Sequence, residues 1–287
     1  MTYHFKILLI FITLILSGCT TSNYISNANN LGKFAESRGF KKQIIKGGKF
    51  WLTVYQRITS PSDNYVFYIE GDGYAFDKYG KITDNPTPRN LMLIRLAAID
   101  TRPNIVYIAR PCQYTQEELN PTCVSKFWTD YRMSQDVVDS INEVITTVNH
   151  GGQFSLVGYS GGGGIAVLVA SINPNVKDIV TIAGNLDHVR FTEYNRTRGA
   201  KFNNIVPLFG SLNPIDYASS VSHIPQIHIS GDKDEVTPPF IASEFVKVTN
   251  QNNASICAYH YVIDNADHAD GWAKSWKDIV NLNLECH

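Results

Sequence analysis

Apolar residues along this chain fall into two kinds of run, and their alternation predicts the order of elements. Short runs dense in Val, Ile, Phe and Tyr, the pattern of buried strands, lie at 43–45, 50–58, 65–69, 105–109, 154–159, 179–183, 226–230 and 255–263. Between the later ones apolar positions recur at helical spacing, most clearly from Met133 to Val148, where Val137, Val138, Ile141, Val144, Ile145 and Val148 share a face. Further helices are expected at 90–99, 165–172, 239–248 and 272–280. Two leading strands and then strand and helix in turn predict an α/β protein, with a mostly parallel sheet of about eight strands covered on both faces. In such sheets reacting groups gather beyond the carboxyl ends of the strands, so the residues that follow each run carry the functional information.

The run at 154–159 stops abruptly in Gly158-Tyr159-Ser160-Gly161-Gly162, and an apolar helical run starts at Ile165. Gly-x-Ser-x-Gly between a strand and a helix suits a nucleophile: a serine in a sharp turn holds its Oγ clear of the sheet, and residues without a Cβ fit on either side. The helix start also directs N–H groups at negative charge developing beside that serine. A glycine-rich connection that merely lets a helix pack closely, or cradles a phosphate, is the competing reading. No Lys-Ser/Thr pair follows, and the phosphate-loop and dinucleotide spacings are absent.

Three other strand ends carry polar groups. After 65–69 comes Glu70-Gly71-Asp72-Gly73-Tyr74, whose glycines let the backbone approach a ligand. After 226–230 comes an acidic turn with Asp232 and Asp234 ahead of a proline-started helix; these acids either orient a histidine or cap the helix. Asp187, beyond 179–183, is the alternative acid. After 255–263 comes His268, on a short loop before the last helix and placed to act as general base. His188 is the runner-up, whereas His223, His228 and His260 lie in helix-like or strand contexts.

Ser160, Asp234 and His268 in that order, each beyond a predicted strand, resemble the nucleophile, acid and base of the α/β-hydrolase superfamily from about Phe50 to the end. The resemblance favours Asp234 over Asp232, since Gly231-x-x-Asp234-x-x-x-Pro238 is the form this loop takes in many members. It implies an oxyanion hole built from the N–H groups of Gly161 and the Asp72 region, acyl transfer through an acyl-enzyme, and no metal or organic cofactor. The Glu70-Gly-Asp-Gly loop departs from the His-Gly loops common in esterases, and an aspartate there is compatible with an oxyanion only if it points away. Because the superfamily spans esterases, thioesterases, peptidases and noncatalytic members, the expectation is a serine hydrolase acting on an acyl compound, most simply an ester. Thioester or peptide cleavage, or ligand binding without turnover, are the alternatives. The stretch 186–222, with Pro207 and Pro214, is long enough to form a small cap over the site.

The amino terminus changes the picture of where this happens. His4 and Lys6 precede an apolar run from Ile7 to Leu16, which ends in Leu16-Ser17-Gly18-Cys19. That sequence resembles a bacterial lipobox and implies a cleaved signal peptide (1–18), lipid on Cys19, a flexible Ser/Thr/Asn-rich tether within 19–40, and a hydrolase domain over 41–287. With Thr20 next, it also implies the outer membrane in a cell that has two. An exported domain with four further cysteines suggests two disulfides, and sequence order pairs Cys112 with Cys123 and Cys257 with Cys286 most simply. A formal net charge of −1 over 287 residues gives no basic excess for nucleic acid.

Overall fold

A computed structural model of the chain describes residues 18–197, 208–251 and 255–287. Its eight strands, β1 (Lys41–Gly47), β2 (Phe50–Ile58), β3 (Tyr65–Ile69), β4 (Asn104–Ile108), β5 (Phe154–Tyr159), β6 (Val176–Ile182), β7 (Gln226–Gly231) and β8 (Ala258–Ile263), form one sheet in the order β1-β2-β4-β3-β5-β6-β7-β8. The first two strands run antiparallel to their neighbours, and every pairing from β4 to β8 is parallel. Strand β3 sits between β4 and β5, so the chain reverses its direction of progress across the sheet there. The Ile69–Gly158 pairing puts the carboxyl ends of β3 and β5 side by side at that switch.

Period-two alternation explains why both faces of the sheet are covered. Tyr65, Phe67 and Ile69 of β3 face one apolar layer, whereas Val66 and Tyr68 face the other. The first layer receives α3 (Gln135–Asn149), α4 (Gly161–Ala170) and α6 (Pro239–Asn250) through Val137, Ile141, Ile165 and Phe245. The second receives α1 (Gly18–Ser37), α2 (Met92–Ile99) and α7 (Ala273–Ile279) through Leu31, Leu93 and Trp276. One further helix, α5 (His188–Thr197), follows β6.

Two expectations change in detail. The tether expected within 19–40 is helical, because its Ser/Asn-rich composition conceals an apolar stripe: Ala28, Leu31, Phe34 and Ala35 lie at helical spacing and pack on the second layer. Of the stretch expected to form a cap, 188–197 is α5, residues 198–207 fall outside the described set, and Pro214–Val221 is a 3-10 segment that buries Ala218 and Val221 in the first layer. The expected signal segment up to residue 17 also lies outside the described residues. The four domain cysteines form the bonds Cys112–Cys123 and Cys257–Cys286, the pairing sequence order suggested.

Candidate active site

Ser160 occupies a backbone conformation, φ 52° and ψ −121°, that a residue with a side chain adopts only under constraint. The constraint is visible: its N–H donates to the Ile182 carbonyl at 2.9 Å, and its own carbonyl accepts from Asn185 N at 2.9 Å and Gly163 N at 3.0 Å. Helix α4 starts immediately after it, earlier than the apolar pattern indicated, since four consecutive glycines carry no hydrophobic signal. Their smallness is required. A Cβ on Gly162 would stand 2.2 Å from the Ile69 carbonyl oxygen, and one on Gly158 would stand 2.3 Å from that of Gly162.

The loops after β7 and β8 bring the other two groups to this turn. His268 Nε2 lies 3.1 Å from Ser160 Oγ, and His268 Nδ1 lies 2.9 Å from Asp234 Oδ2. The second oxygen of Asp234 accepts the N–H groups of Val236 and Thr237, each at 2.8 Å, which fixes the buried carboxylate at the start of α6. Of the two roles open on sequence grounds, Asp234 therefore takes the orientation of the histidine, its other bonds lying in the turn before α6, which has no side-chain cap. The Tyr159 hydroxyl donates to the His268 carbonyl at 2.9 Å and steadies the histidine loop.

Asp72 does not point away. Its carboxylate lies against the Cα of Gly161, where an added Cβ would meet Oδ1 at 2.0 Å. What makes this tolerable is a pair of buried guanidinium groups: Arg110 Nη1 stands 3.2 Å from Asp72 Oδ1, and Arg132 Nε stands 3.1 Å from Oδ2. Beside it, Glu70 is buried, accepting from Gly71 N at 2.8 Å and from the Tyr107 hydroxyl at 2.7 Å. Burial pushes its carboxyl up to about 7, against the opposing pull of these hydrogen bonds and of Arg110.

A cavity of about 450 Å³ opens over Ser160 and His268. Ala75, Phe76, Trp128, Phe191 and Val236 give it an apolar wall. Arg132 lines it on the Asp72 side, and Arg89, stacked 3.3 Å over the Tyr74 ring, stands at its edge.

The competing residues have other occupations. Asp187 accepts from Val189 N, Arg190 N and the Asn213 amide, so it caps α5. Asp232 is exposed. His188 is buried, with its pKa lowered by burial and by the Arg132 charge. His228 lies in the core between Thr181 Oγ1 (2.8 Å) and Gln226 Oε1 (3.0 Å), and His260 Nε2 meets Ser230 Oγ at 3.1 Å. Sequence reasoning missed Arg110, Arg132 and Gln113. Arg110 had a signal, a charge directly beyond an apolar strand; Arg132 and Gln113 sit in irregular chain with none.

The strand order, the strained serine turn between β5 and α4, and the acid and histidine beyond β7 and β8 together define the α/β-hydrolase fold. Solved structures agree. An esterase of Pyrococcus furiosus superposes with a TM-score of 0.59 at 14% identity, covering 85% of this chain and 90% of its own. A putative lipase of Acinetobacter baumannii gives 0.56 at 12%, covering 88% and 93%. The acylaminoacyl peptidase of Pyrococcus horikoshii gives 0.61 at 13%, covering 84% of this chain but 41% of its own. The chain matches no protein-family model and no curated sequence.

Proposed function

We propose that the protein is a serine hydrolase that cleaves an acyl bond, most simply a carboxylic ester, through an acyl-enzyme on Ser160. The observation that carries this reading is the series Ser160 Oγ–His268 Nε2–Asp234 at 3.1 and 2.9 Å, built on a strained serine beneath an apolar-walled cavity. With its proton on Nδ1, His268 donates to Asp234 and leaves Nε2 free to accept the Ser160 proton as Oγ attacks the carbonyl carbon. The oxyanion then accepts from the N–H groups of Gly161 and Asp72 while His268 returns the proton to the leaving oxygen. Water, deprotonated by the same nitrogen, releases the acid. Ala75, Phe76, Trp128 and Phe191 receive the acyl chain.

The lipobox resemblance at Leu16–Cys19 supports attachment of this domain to the bacterial cell envelope by lipid on Cys19, at the outer membrane where the cell has two. Helix α1 would then be the spacer, rising about 18 Å between Cys19 and Leu31 at 1.5 Å per residue. The test of the chemistry is hydrolysis of p-nitrophenyl esters of graded chain length by wild type and Ser160→Ala. Cleavage by wild type that vanishes in the variant is expected, and cleavage that survives it rules the reading out. For the anchor, Cys19→Ser should abolish acyl labelling and release the protein from the membrane fraction; unchanged partitioning without any labelling of the wild type rules it out.

A further inference from the structure

The loop between β3 and the cavity is fastened at several of its polar groups. Gly71 N donates to Glu70 Oε1, and the Gly71 carbonyl accepts from Gln113 Nε2 at 2.9 Å. Both carboxylate oxygens of Asp72 meet a guanidinium. Gly73 is left-handed at φ 71° and packs on the Pro86 carbonyl, to which Tyr74 N donates at 2.9 Å. Among the described residues, the N–H groups of Asp72, Gly73 and Gly161 have no protein partner, and those of Asp72 and Gly161 flank the contact between the two loops. A donor kept free while its surroundings are tied is what a preorganised oxyanion site requires.

The groups that tie the loop are themselves tied to one another. Arg110 N donates to Gln113 Oε1 at 3.1 Å, an Arg110 Nη2–H bonds the Arg132 carbonyl, and Arg132 Nη1 donates to the Thr129 carbonyl at 3.0 Å. Cys112, between Arg110 and Gln113, is bonded to Cys123. Burying two guanidiniums against one carboxylate carries a desolvation penalty that their attraction does not reliably offset, so fold stability alone is a poor reason for the arrangement. Charge supplies a better one. An aspartate against Gly161 would repel an oxyanion, whereas Arg110 and Arg132 offset the Asp72 charge in the same place.

We infer that Arg110, Arg132 and Gln113 are positioning residues that use the Asp72 carboxylate as a handle, holding the Asp72 N–H in its oxyanion-binding orientation and offsetting the carboxylate's charge beside it. This rests on the serine hydrolase reading. It accounts for the Glu-Gly-Asp-Gly sequence: the aspartate at the donor position is the grip for a clamp supplied by the chain beyond β4 and the segment before α3.

The test is the second-order rate of Ser160 phosphonylation by a fluorophosphonate, which needs the oxyanion hole but no knowledge of the natural substrate. It is read alongside inhibition by butylboronic acid, whose serine adduct is tetrahedral. Gln113→Met keeps charge and approximate volume, and Arg132→Gln removes one guanidinium; folding is checked by circular dichroism and thermal unfolding. Both variants should phosphonylate at least about 10-fold more slowly, up to the roughly 100- to 1,000-fold loss typical of one missing oxyanion donor. Boronate affinity should fall in parallel, while the KM for p-nitrophenyl butyrate changes less than about threefold. Arg132→Ala should recover part of its rate when guanidinium or ethylguanidinium is added, because Arg132 lines the open cavity. Folded Gln113→Met with wild-type phosphonylation and boronate affinity overturns the clamp alone, and so does loss confined to KM. Wild type that is never phosphonylated overturns the serine reading and the clamp with it. If Arg132→Gln fails to fold, Gln113→Met decides.

Discussion

Replacing Glu70 with glutamine should change the pH dependence of stability. Burial holds this carboxyl at about 7, against 4.5 for the free group, so the folded chain retains a proton that the unfolded chain releases. The stability this group contributes is complete below pH 4.5 and is lost as pH rises through 7. The two values give about 3 kcal/mol lost by about pH 7.5 and about 0.4 kcal/mol by about pH 4.5. Glutamine reproduces the protonated form, its oxygen accepting from Gly71 N and its amide donating to the Tyr107 oxygen. Glu70→Gln should therefore be about 3 kcal/mol more stable than wild type near pH 7.5 and nearly equal to it near pH 4.5. His228 works in the opposite sense. Burial, aided by His260, lowers its pKa from 6.5 to about 3, so its contribution is complete above 6.5 and is lost as pH falls through 3. By about pH 4.5 that loss is about 2.7 kcal/mol, close to what Glu70 regains. Set against wild type, Glu70→Gln should show a much steeper loss on acidification. Guanidinium unfolding followed by tryptophan fluorescence, with the disulfides intact, measures both. A stability difference between the two proteins that is the same at the two pH values would show that Glu70 does not hold a proton in the folded chain.

Other outcomes follow from single distances. Asp234→Asn should lower kcat by about 10⁴-fold by presenting an amide to His268 Nδ1 and forcing the wrong tautomer, whereas Asp187→Asn should leave kcat within a few-fold; the reverse order in a steady-state assay would reassign the acid. Gly162→Ala places a Cβ 2.2 Å from the Ile69 carbonyl oxygen, so it should cost about 1–3 kcal/mol in denaturant unfolding and move Ser160 enough to lower kcat. Opening Cys112–Cys123 by Cys→Ser substitution at both positions should cost about 3 kcal/mol, and kcat should fall with it because the bond flanks Arg110 and Gln113. Unchanged kcat in that folded variant would uncouple the disulfide from the site.

The sheet and the three groups at its strand ends were legible in the sequence because each depends on local patterning. Strand β5 reads as an apolar run, the serine turn as an interruption between strand and helix, and His268 as a polar residue on a loop just beyond the last strand. What the sequence concealed depends on contacts between distant segments. The interior of α1 was hidden because apolar positions spaced three and four apart are diluted by Ser and Asn, and the stripe at Ala28, Leu31, Phe34 and Ala35 has meaning only once a second layer exists to receive it. The surroundings of Asp72 were hidden for a similar reason. Its sequence neighbours show no counter-charge, and Arg132, which stands 3.1 Å from its carboxylate, is 60 positions away along the chain. Glu70 looked like loop polarity, although the fold buries it beneath Tyr107.

The assignment of Ser160 as the nucleophile is tested by peptide mass mapping of the protein after fluorophosphonate treatment. Stoichiometric adduct on the peptide containing Ser160, absent from Ser160→Ala and strongly reduced in a folded His268→Gln variant, is the predicted result. Adduct on another residue, or none on folded and oxidised wild type that also leaves esters, thioesters and amides intact, would contradict it.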